Sequence, residues 1–345
     1  MSRKLITIST IMTLMSTSVI ADVPNVAADI APIHSLVSRV MDGVGAPKLI
    51  VQSGASPHGY RLRPSEAKAL QDADHVFWMG EELTPWLDSA IGTLASKASV
   101  TTLLDQQGVI LYDFREGALF EAHDHSAHGD DDHDDHDDHD DHDDHDDHND
   151  HKDHDDHDDH KDHDDHDDHD DHDDHGSQDP HAWLSPENAK LWLNIIASKL
   201  SVSDPENAAT YFMNAAAGQA EIEAMIAEVK ATLKPVQGGK FVVFHDAYQY
   251  FENDFDFYAS GAISLGDSSD PSPARIEKVQ KRIRDEGIQC VLAEPQFKKG
   301  LVATVMEGSD ATASVIDPLG AELEAGPKLY TRLIKNMAKT LRNCL

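Results

Sequence analysis

Residues 207–234, NAATYFMNAAAGQAEIEAMIAEVKATLK, form a helix-favouring run of nearly thirty residues without proline. At about 1.5 Å per residue such a helix extends roughly 40 Å, which is longer than a typical helix within one domain. The run stops at Pro235, shortly before a pair of glycines. This pattern predicts a rigid spine helix that joins two lobes.

Short apolar runs alternate with helical patterns on both sides of this spine. Before it, the strand candidates are VPNVAADI, KLIV and HVFWMG, and after it they are KFVVFH, IQCVLAEP and SVIDPL. Alternation of this kind predicts parallel sheets flanked by helices. The expected fold class is therefore α/β, with two similar lobes: an N-terminal lobe at 22–206, the spine at 207–235 and a C-terminal lobe at 236–345.

The first residues of the chain predict a secretion signal. Residues 1–21, MSRKLITISTIMTLMSTSVIA, combine a basic start, a short apolar stretch and small residues at a cleavage site, as a signal peptide does. No later segment approaches about 18 uninterrupted apolar residues, the length that a membrane span needs. We expect an exported, soluble mature protein that starts near Asp22.

Most of the negative charge lies in one segment. The formal charge is −36, of which residues 123–175 carry −27 through 29 Asp, 18 His and 2 Lys. The remaining −9 leaves no basic face to neutralise phosphates, which argues against a nucleic-acid partner.

Within this segment, a histidine at nearly every third position matches neither the strand period nor the helix period. Like charges and the lack of apolar residues predict a disordered loop inserted in the first lobe. Its imidazoles suit zinc, as a buffer, a capture device or a sensor, although a solvating tract is the plainer alternative. The candidate ligands of this auxiliary loop are His123, His125, His128, His133, His136, His139, His142, His145, His148, His151, His154, His157, His160, His163, His166, His169, His172 and His175.

Only five histidines lie outside the loop, and three of them share a setting. His58 follows a strand candidate, His181 precedes a helix candidate, and His245 ends a strand candidate. Ligands of open α/β sheets bind at the carboxyl ends of strands, and three imidazoles plus an oxygen are a normal zinc shell. A hydrogen-bonded structural role is the alternative for each of the three, and it is the interpretation we prefer for His34 and His75.

The two cysteines, Cys290 and Cys344, form an even pair in a chain with an export signal. Such a pair suggests a disulfide, which would stabilise the fold by about 4 kcal/mol in the chain-entropy model. Two independent buried thiols are the alternative.

The chain resembles the periplasmic zinc-binding proteins of ABC uptake systems, the ZnuA type in metal-binding cluster A-I of the solute-binding proteins. The stretches that carry the resemblance are GASPHGYRLRPSEAKALQDAD, the acidic His-rich loop, DPHAWLSPE, FHDAYQYF, AEPQF and IDPLG. It implies Zn²⁺ held between the lobes by His58, His181 and His245, and a disulfide between Cys290 and Cys344. It also implies a monomer in the periplasm whose partners are an inner-membrane zinc permease and its ATPase, with periplasmic metallochaperones as a further candidate.

The fourth zinc ligand is left open. Some members of the family carry an acidic residue directly before the first histidine, where this chain has Pro57. The fourth position is then a water molecule or Asp317 of IDPL, with Glu121 or a loop histidine as remoter candidates. Glu294 of AEPQF is expected to orient a ligand or to pack near the site.

Two other functions compete with transport. A zinc hydrolase also uses three protein ligands, but the chain lacks HExxH and shows no general base paired to a ligand, so we expect no enzyme. A periplasmic metal buffer that never docks on a permease is not separated from a transport component by the sequence. Three imidazoles disfavour Mn²⁺, which prefers oxygen ligands.

Overall fold

The computed structural model describes residues 23–115, 120, 178–264, 271–296 and 299–345. The expected signal peptide and the His/Asp-rich loop lie outside these residues, as does Glu121. Within the part of the chain that is described, no helix combines the length and the apolar character that crossing a membrane requires.

The N-terminal lobe is built around a four-stranded parallel sheet with the strand order β2-β1-β3-β4. Its elements are β1 (Val26–Ala28), α1 (Ala31–Val40), β2 (Lys48–Leu49), α2 (Pro64–Gln71), β3 (His75–Trp78), α3 (Pro85–Leu94), β4 (Ser99–Thr102) and α4 (Pro186–Ser203). The two central strands are buried along their whole length, as parallel strands covered on both faces are.

The C-terminal lobe repeats this arrangement, with the strand order β6-β5-β7-β8 and every pair parallel. Its elements are β5 (Phe241–His245), α6 (Gln249–Phe255), β6 (Ala262–Ser264), α7 (Pro273–Glu286), β7 (Cys290–Ala293), α8 (Lys299–Met306), β8 (Thr312–Val315) and α9 (Leu329–Cys344). The prediction of two similar α/β lobes is confirmed.

The predicted spine is α5 (Ala208–Leu233), which is extended by a 3₁₀ turn at each end, Pro205–Asn207 and Lys234–Val236. Its 26 residues correspond to about 39 Å. One side of α5 packs against α4, and α5 also contacts α1 and α9, so the spine contacts both lobes. A continuous apolar core follows these helices from one lobe into the other, while smaller clusters fill the outer face of each sheet.

Local sequence signals explain where several helices begin. The Ser185 hydroxyl accepts a hydrogen bond from the Asn188 N–H at 3.2 Å, and Pro186 occupies the first turn of α4, where both residue types are favoured. Ser272 and Pro273 start α7 in the same way, with the Arg275 N–H donating to the Ser272 hydroxyl.

Three elements have no counterpart among the predictions: β4, β6 and α8. β4 is an edge strand that is mostly exposed, and β6 has only three residues. Neither gives the alternating or continuous apolar pattern from which a strand is predicted.

Cys290 and Cys344 form a disulfide, with their Cα atoms 5.6 Å apart. The bond joins the first residue of β7 to the last residue of α9. It therefore ties the end of the chain to the amino-terminal edge of the second sheet, at the opposite edge from the carboxyl ends of its strands. The predicted pairing is confirmed.

Candidate metal centre

His181 opens a 3₁₀ turn, Ala182–Leu184, just before α4 and is 4% exposed. Its ring Nδ1 lies 2.6 Å from Oδ1 of Asp179, and its backbone N–H donates to the same oxygen at 3.0 Å. A carboxylate only accepts hydrogen bonds, so this contact places the ring proton on Nδ1 and turns Nε2 away from Asp179. Both side chains are buried.

His245 is the last residue of β5 and is held in the same manner. Its Nδ1 lies 2.5 Å from Oε1 of Glu294, which follows the end of β7 and is 2% exposed. The Gln296 amide donates to the other oxygen of Glu294 at 2.7 Å. The sequence had singled out Glu294 as a residue that orients a ligand or packs nearby, and the structure places it against His245.

The imidazoles of His181 and His245, each in contact with a carboxylate through Nδ1, face one another. Nε2 of His181 and Nε2 of His245 are 3.4 Å apart, although the residues lie in different lobes. Nitrogens bound to one tetrahedral zinc at about 2.0–2.1 Å are separated by about 3.3 Å, the edge of the tetrahedron. The distance between these atoms is thus the one that a shared zinc ion imposes.

His58 lies on the long loop between β2 and α2, in which every residue from Gln52 to Arg63 except Pro57 is at least partly exposed. The Trp86 indole anchors this loop by donating to the Pro57 carbonyl at 2.7 Å. The ring centroids of His58 and His181 are 5.7 Å apart, against 5.2 Å for His181 and His245. Imidazoles that share a tetrahedral zinc through Nε2 have centroids roughly 5.2 Å apart, so the His58 and His181 rings are about half an ångström farther apart than this.

All three histidines line one small cavity of about 10 Å³, which is the room of roughly one water molecule. Its lining consists of Pro57, His58, His181, Trp183, His245, Gln296, Pro318 and Leu319. Among the residues that the structure describes, however, no set of three or more His, Cys, Asp or Glu side chains has the arrangement of a finished metal shell. The facing pair is in place, and the third imidazole is beside it.

Asp317 lies behind the cavity wall. Its carboxylate accepts the backbone N–H groups of Leu319, Gly320 and Ala321 at 3.0, 2.8 and 2.6 Å, and so it shapes the turn that presents Pro318 and Leu319. Gly320 has φ +74° in this turn, a conformation that favours glycine. The side chain of Asp317 is not part of the cavity lining.

The other two histidines lie elsewhere in the first lobe. His34 Nε2 is 3.2 Å from the Pro47 carbonyl, and burial lowers the pKa of this ring. His75 Nε2 is 2.7 Å from the Ser203 hydroxyl. Each has a hydrogen-bonded structural setting away from the cavity.

Sequence reasoning missed two features of this region. Asp179, two residues before His181, was not assigned a role, although a carboxylate next to a candidate ligand is a usual sign of an orienting partner. Arg115 was missed as well: its guanidinium bonds to Asp246, the residue after His245, and to Glu252. Burial raises the pKa of Asp246, while Arg115 acts in the opposite direction.

The sequence matches known proteins over nearly its whole length. The family model for zinc-uptake complex component A, periplasmic (ZnuA), matches residues 26–344. The high-affinity zinc uptake system protein ZnuA of Brucella abortus is 49% identical over 320 residues, which cover 93% of this chain and 91% of that protein. The protein of the same name from Paracoccus denitrificans is 45% identical and covers 94% and 93% of the two chains.

Solved structures agree on the fold. A crystal structure of a ZnuA protein superposes with a TM-score of 0.67 at 20% identity, covering 94% of this chain and 99% of that one. A zinc-bound ZnuA variant that lacks residues 138–173 of its own chain gives a TM-score of 0.66, also at 20% identity. At this identity the likeness concerns the fold alone.

Proposed function

Because the chain belongs to the family of periplasmic zinc-uptake components, ZnuA, we propose that it captures Zn²⁺ in the cavity between its lobes and delivers it to a membrane transporter. The ligands are Nε2 of His181, Nε2 of His245 and the imidazole of His58. Zinc is the cargo, and no covalent chemistry takes part. The observation that carries the proposal is the pair of facing Nε2 atoms, 3.4 Å apart, each on a ring backed by a buried carboxylate.

A histidine that binds zinc usually donates its other ring N–H to a carboxylate or carbonyl, which fixes the tautomer and makes the ligating nitrogen more basic. Asp179 and Glu294 are suited to this for His181 and His245. Two neutral rings whose lone pairs face each other in a buried site repel until a cation lies between them. An ion between the rings therefore removes a repulsion and gains two bonds.

His58 supplies the third ligand after a small inward shift of its loop. We propose a water molecule as the fourth ligand, because Asp317 already accepts three backbone N–H groups and its side chain is outside the cavity lining. Three nitrogen donors in so small a space favour Zn²⁺ over Mn²⁺, which takes more ligands and prefers oxygen.

The remaining expectations belong to the same proposal. The signal peptide directs the chain to the periplasm, where it acts as a monomer and docks on an inner-membrane permease that works with an ATPase. The two lobes that contact this partner are residues 22–206 and 236–345, and the spine at 207–235 joins them. The histidines of 123–175 bind additional zinc and raise its concentration near the cavity, and metallochaperones are a second class of partner.

A zinc titration by calorimetry in the presence of a competing chelator tests this function. The mature chain, a version without residues 123–175, and the same version with His245→Ala are compared, and His75→Gln is the control for loss of a buried histidine elsewhere. We expect one tight site to survive the deletion and the control, and to vanish with His245→Ala. Tight binding that disappears with the deletion alone would make the loop the functional centre and the protein a metal buffer.

A further inference from the structure

A buried charge cluster beside the cavity is not part of the proposed ligand set. It consists of Arg115, Asp246 and Glu252, whose carboxylate side chains are 2% and 1% exposed. The Arg115 guanidinium bonds to Asp246 through Nε, 3.0 Å from both carboxylate oxygens, and through Nη2, and it bonds to Glu252 through Nη1 at 2.5 Å. The ring of Phe120 covers the guanidinium, with the central carbon 3.6 Å from the ring centroid.

The cluster joins the two lobes at the point where His245 is attached. Arg115 belongs to the segment that follows β4 in the first lobe, whereas Asp246 directly follows His245 at the carboxyl end of β5 and Glu252 lies on α6. The guanidinium fork thus holds the first residue of the turn that leads from His245 into α6. A shift of this turn would move the His245 ring.

A parallel link fixes His181. The Tyr250 hydroxyl, from α6, donates to the backbone carbonyl of Asp179 at 2.7 Å and accepts the Tyr112 N–H at 3.1 Å. The first-lobe segment that carries Tyr112 and Arg115 is therefore bonded to both sides of the facing imidazole pair. Together, the Arg115 link and the Tyr250 link set the separation of His181 and His245.

We propose that Arg115 is a positioning residue for zinc, which acts through Asp246 and holds Nε2 of His245 at bonding distance across the cavity from His181. This inference rests on the proposed function. The bidentate contact needs the planar fork of arginine, which lysine cannot reproduce. Asp179 and Glu294 are bonded to the two imidazoles, and Arg115 is a cation that contacts two further buried carboxylates, Asp246 and Glu252.

The test uses the mature chain without residues 123–175 and measures zinc affinity against a chelator, together with the visible spectrum of the Co²⁺-loaded protein. Co²⁺ in a tetrahedral site absorbs strongly, so its spectrum reports ligand geometry. We expect Arg115→Gln to weaken zinc binding by up to about tenfold, since Arg115 acts one contact farther out than the carboxylates bonded to the ligands, and to weaken the Co²⁺ bands. Arg115→Lys should keep the fold and lose part of both signals.

Two further variants separate positioning from charge and from folding. Arg275 also lies near Asp246, but its buried Nε and Nη2 make no hydrogen bond within the described part of the chain, so Arg275→Gln removes a similar charge without breaking a hydrogen bond of either nitrogen. In the double variant Arg115→Gln/Asp246→Asn, the zinc affinity should equal that of Arg115→Gln alone, because both changes remove one link. If Arg115→Gln does not fold, Arg115→Lys and the double variant decide the question by the same two signals.

Wild-type zinc affinity together with an unchanged Co²⁺ spectrum in Arg115→Gln overturns the positioning role. If Arg115→Gln does not fold, the same result in Arg115→Lys and in the double variant overturns it. An equal loss of zinc affinity in Arg275→Gln also overturns it. A lower melting temperature with an unaltered Co²⁺ spectrum also overturns it, since it marks a purely structural ion pair. His245→Ala is measured alongside. If that variant binds zinc tightly, the proposed function fails; if it loses zinc while Arg115→Gln does not, only the role of Arg115 fails.

Discussion

Replacing Glu294 by glutamine should weaken zinc binding at the proposed centre by about tenfold without unfolding the second lobe. Glu294 is 2% exposed, and its Oε1 lies 2.5 Å from Nδ1 of His245. Glutamine has nearly the same shape, and its carbonyl can still accept the Nδ1 proton. The substitution thus removes the negative charge behind the imidazole and little else.

The magnitude follows from the kind of hydrogen bond that is exchanged. A hydrogen bond to a charged group contributes about 1.5–3 kcal/mol, against about 0.5–1.5 kcal/mol for a neutral one. The difference of about 1–1.5 kcal/mol corresponds to about a tenfold change in affinity. The Gln296 amide, which donates to the second oxygen of Glu294, would face the new amide nitrogen and add to the loss. Glu294→Ala removes the acceptor altogether and should cost up to about 100-fold.

Competition titration with a zinc chelator measures this effect on the chain without residues 123–175, so that loop sites do not mask the cavity. Glu307→Gln is the matched control, since it removes the same charge from an exposed position of the same lobe. Thermal unfolding of each metal-free variant establishes that the fold is intact. Equal zinc affinity in Glu294→Gln, Glu294→Ala and the parent would refute the view that this carboxylate tunes His245.

Three more outcomes are expected. Burial raises the pKa of the Asp29 carboxyl to about 7, so its folded form keeps a proton that the unfolded chain releases near 3.8. The free energy of unfolding then falls as the pH rises through this window, by roughly 4 kcal/mol in all. Urea titrations at pH 5 and pH 8 should therefore show a smaller fall in the free energy of unfolding for Asp29→Asn than for the parent. Equal falls in the two proteins would contradict this. Changing Cys290 and Cys344 to serine together should lower the free energy of unfolding by about 4 kcal/mol in urea, as the chain-entropy model gives for a separation of 54 residues, and an unchanged midpoint would count against it. Asp317→Asn should change zinc affinity by less than the roughly 10-fold expected for an outer partner, and a larger loss in the chelator assay would identify Asp317 as the fourth ligand.

Much of the fold could be predicted because its signals are local. A proline-free run of helix formers gave α5, and buried runs such as FVVFH gave the central strands. The signal fails where an element is too short or too exposed to carry a pattern, as in β4 and β6. No sequence pattern indicates that α9 packs against α1, which brings the last helix of the second lobe into contact with the first lobe.

The proposed ligands of the candidate centre and the residues behind them were predictable from the sequence to different degrees. Two histidines after predicted strands and one before a predicted helix could be picked out, because the fold brings the carboxyl ends of strands to one place. Glu294 was tied to the site by its stretch of sequence, but its pairing with His245 crosses 49 residues and depends on β5 and β7 being neighbours. Arg115 and Asp246 are 131 residues apart, and no local pattern announces their contact.

The three proposed ligands differ in how firmly they are held, and this difference gives binding a direction. His181 and His245 are buried, are backed by carboxylates, and are linked through α6 to a common segment of the first lobe. His58 lies on a partly exposed loop, and its ring is slightly farther from His181 than the ring of His245 is. At the proposed site an incoming ion would thus meet two imidazoles that are already ordered, so little conformational entropy would be lost at that step, and the His58 loop would close on it afterwards. Release would reverse the order: a partner that displaces the His58 loop would remove one proposed ligand and open the cavity, while the His181–His245 pair would stay assembled for the next ion.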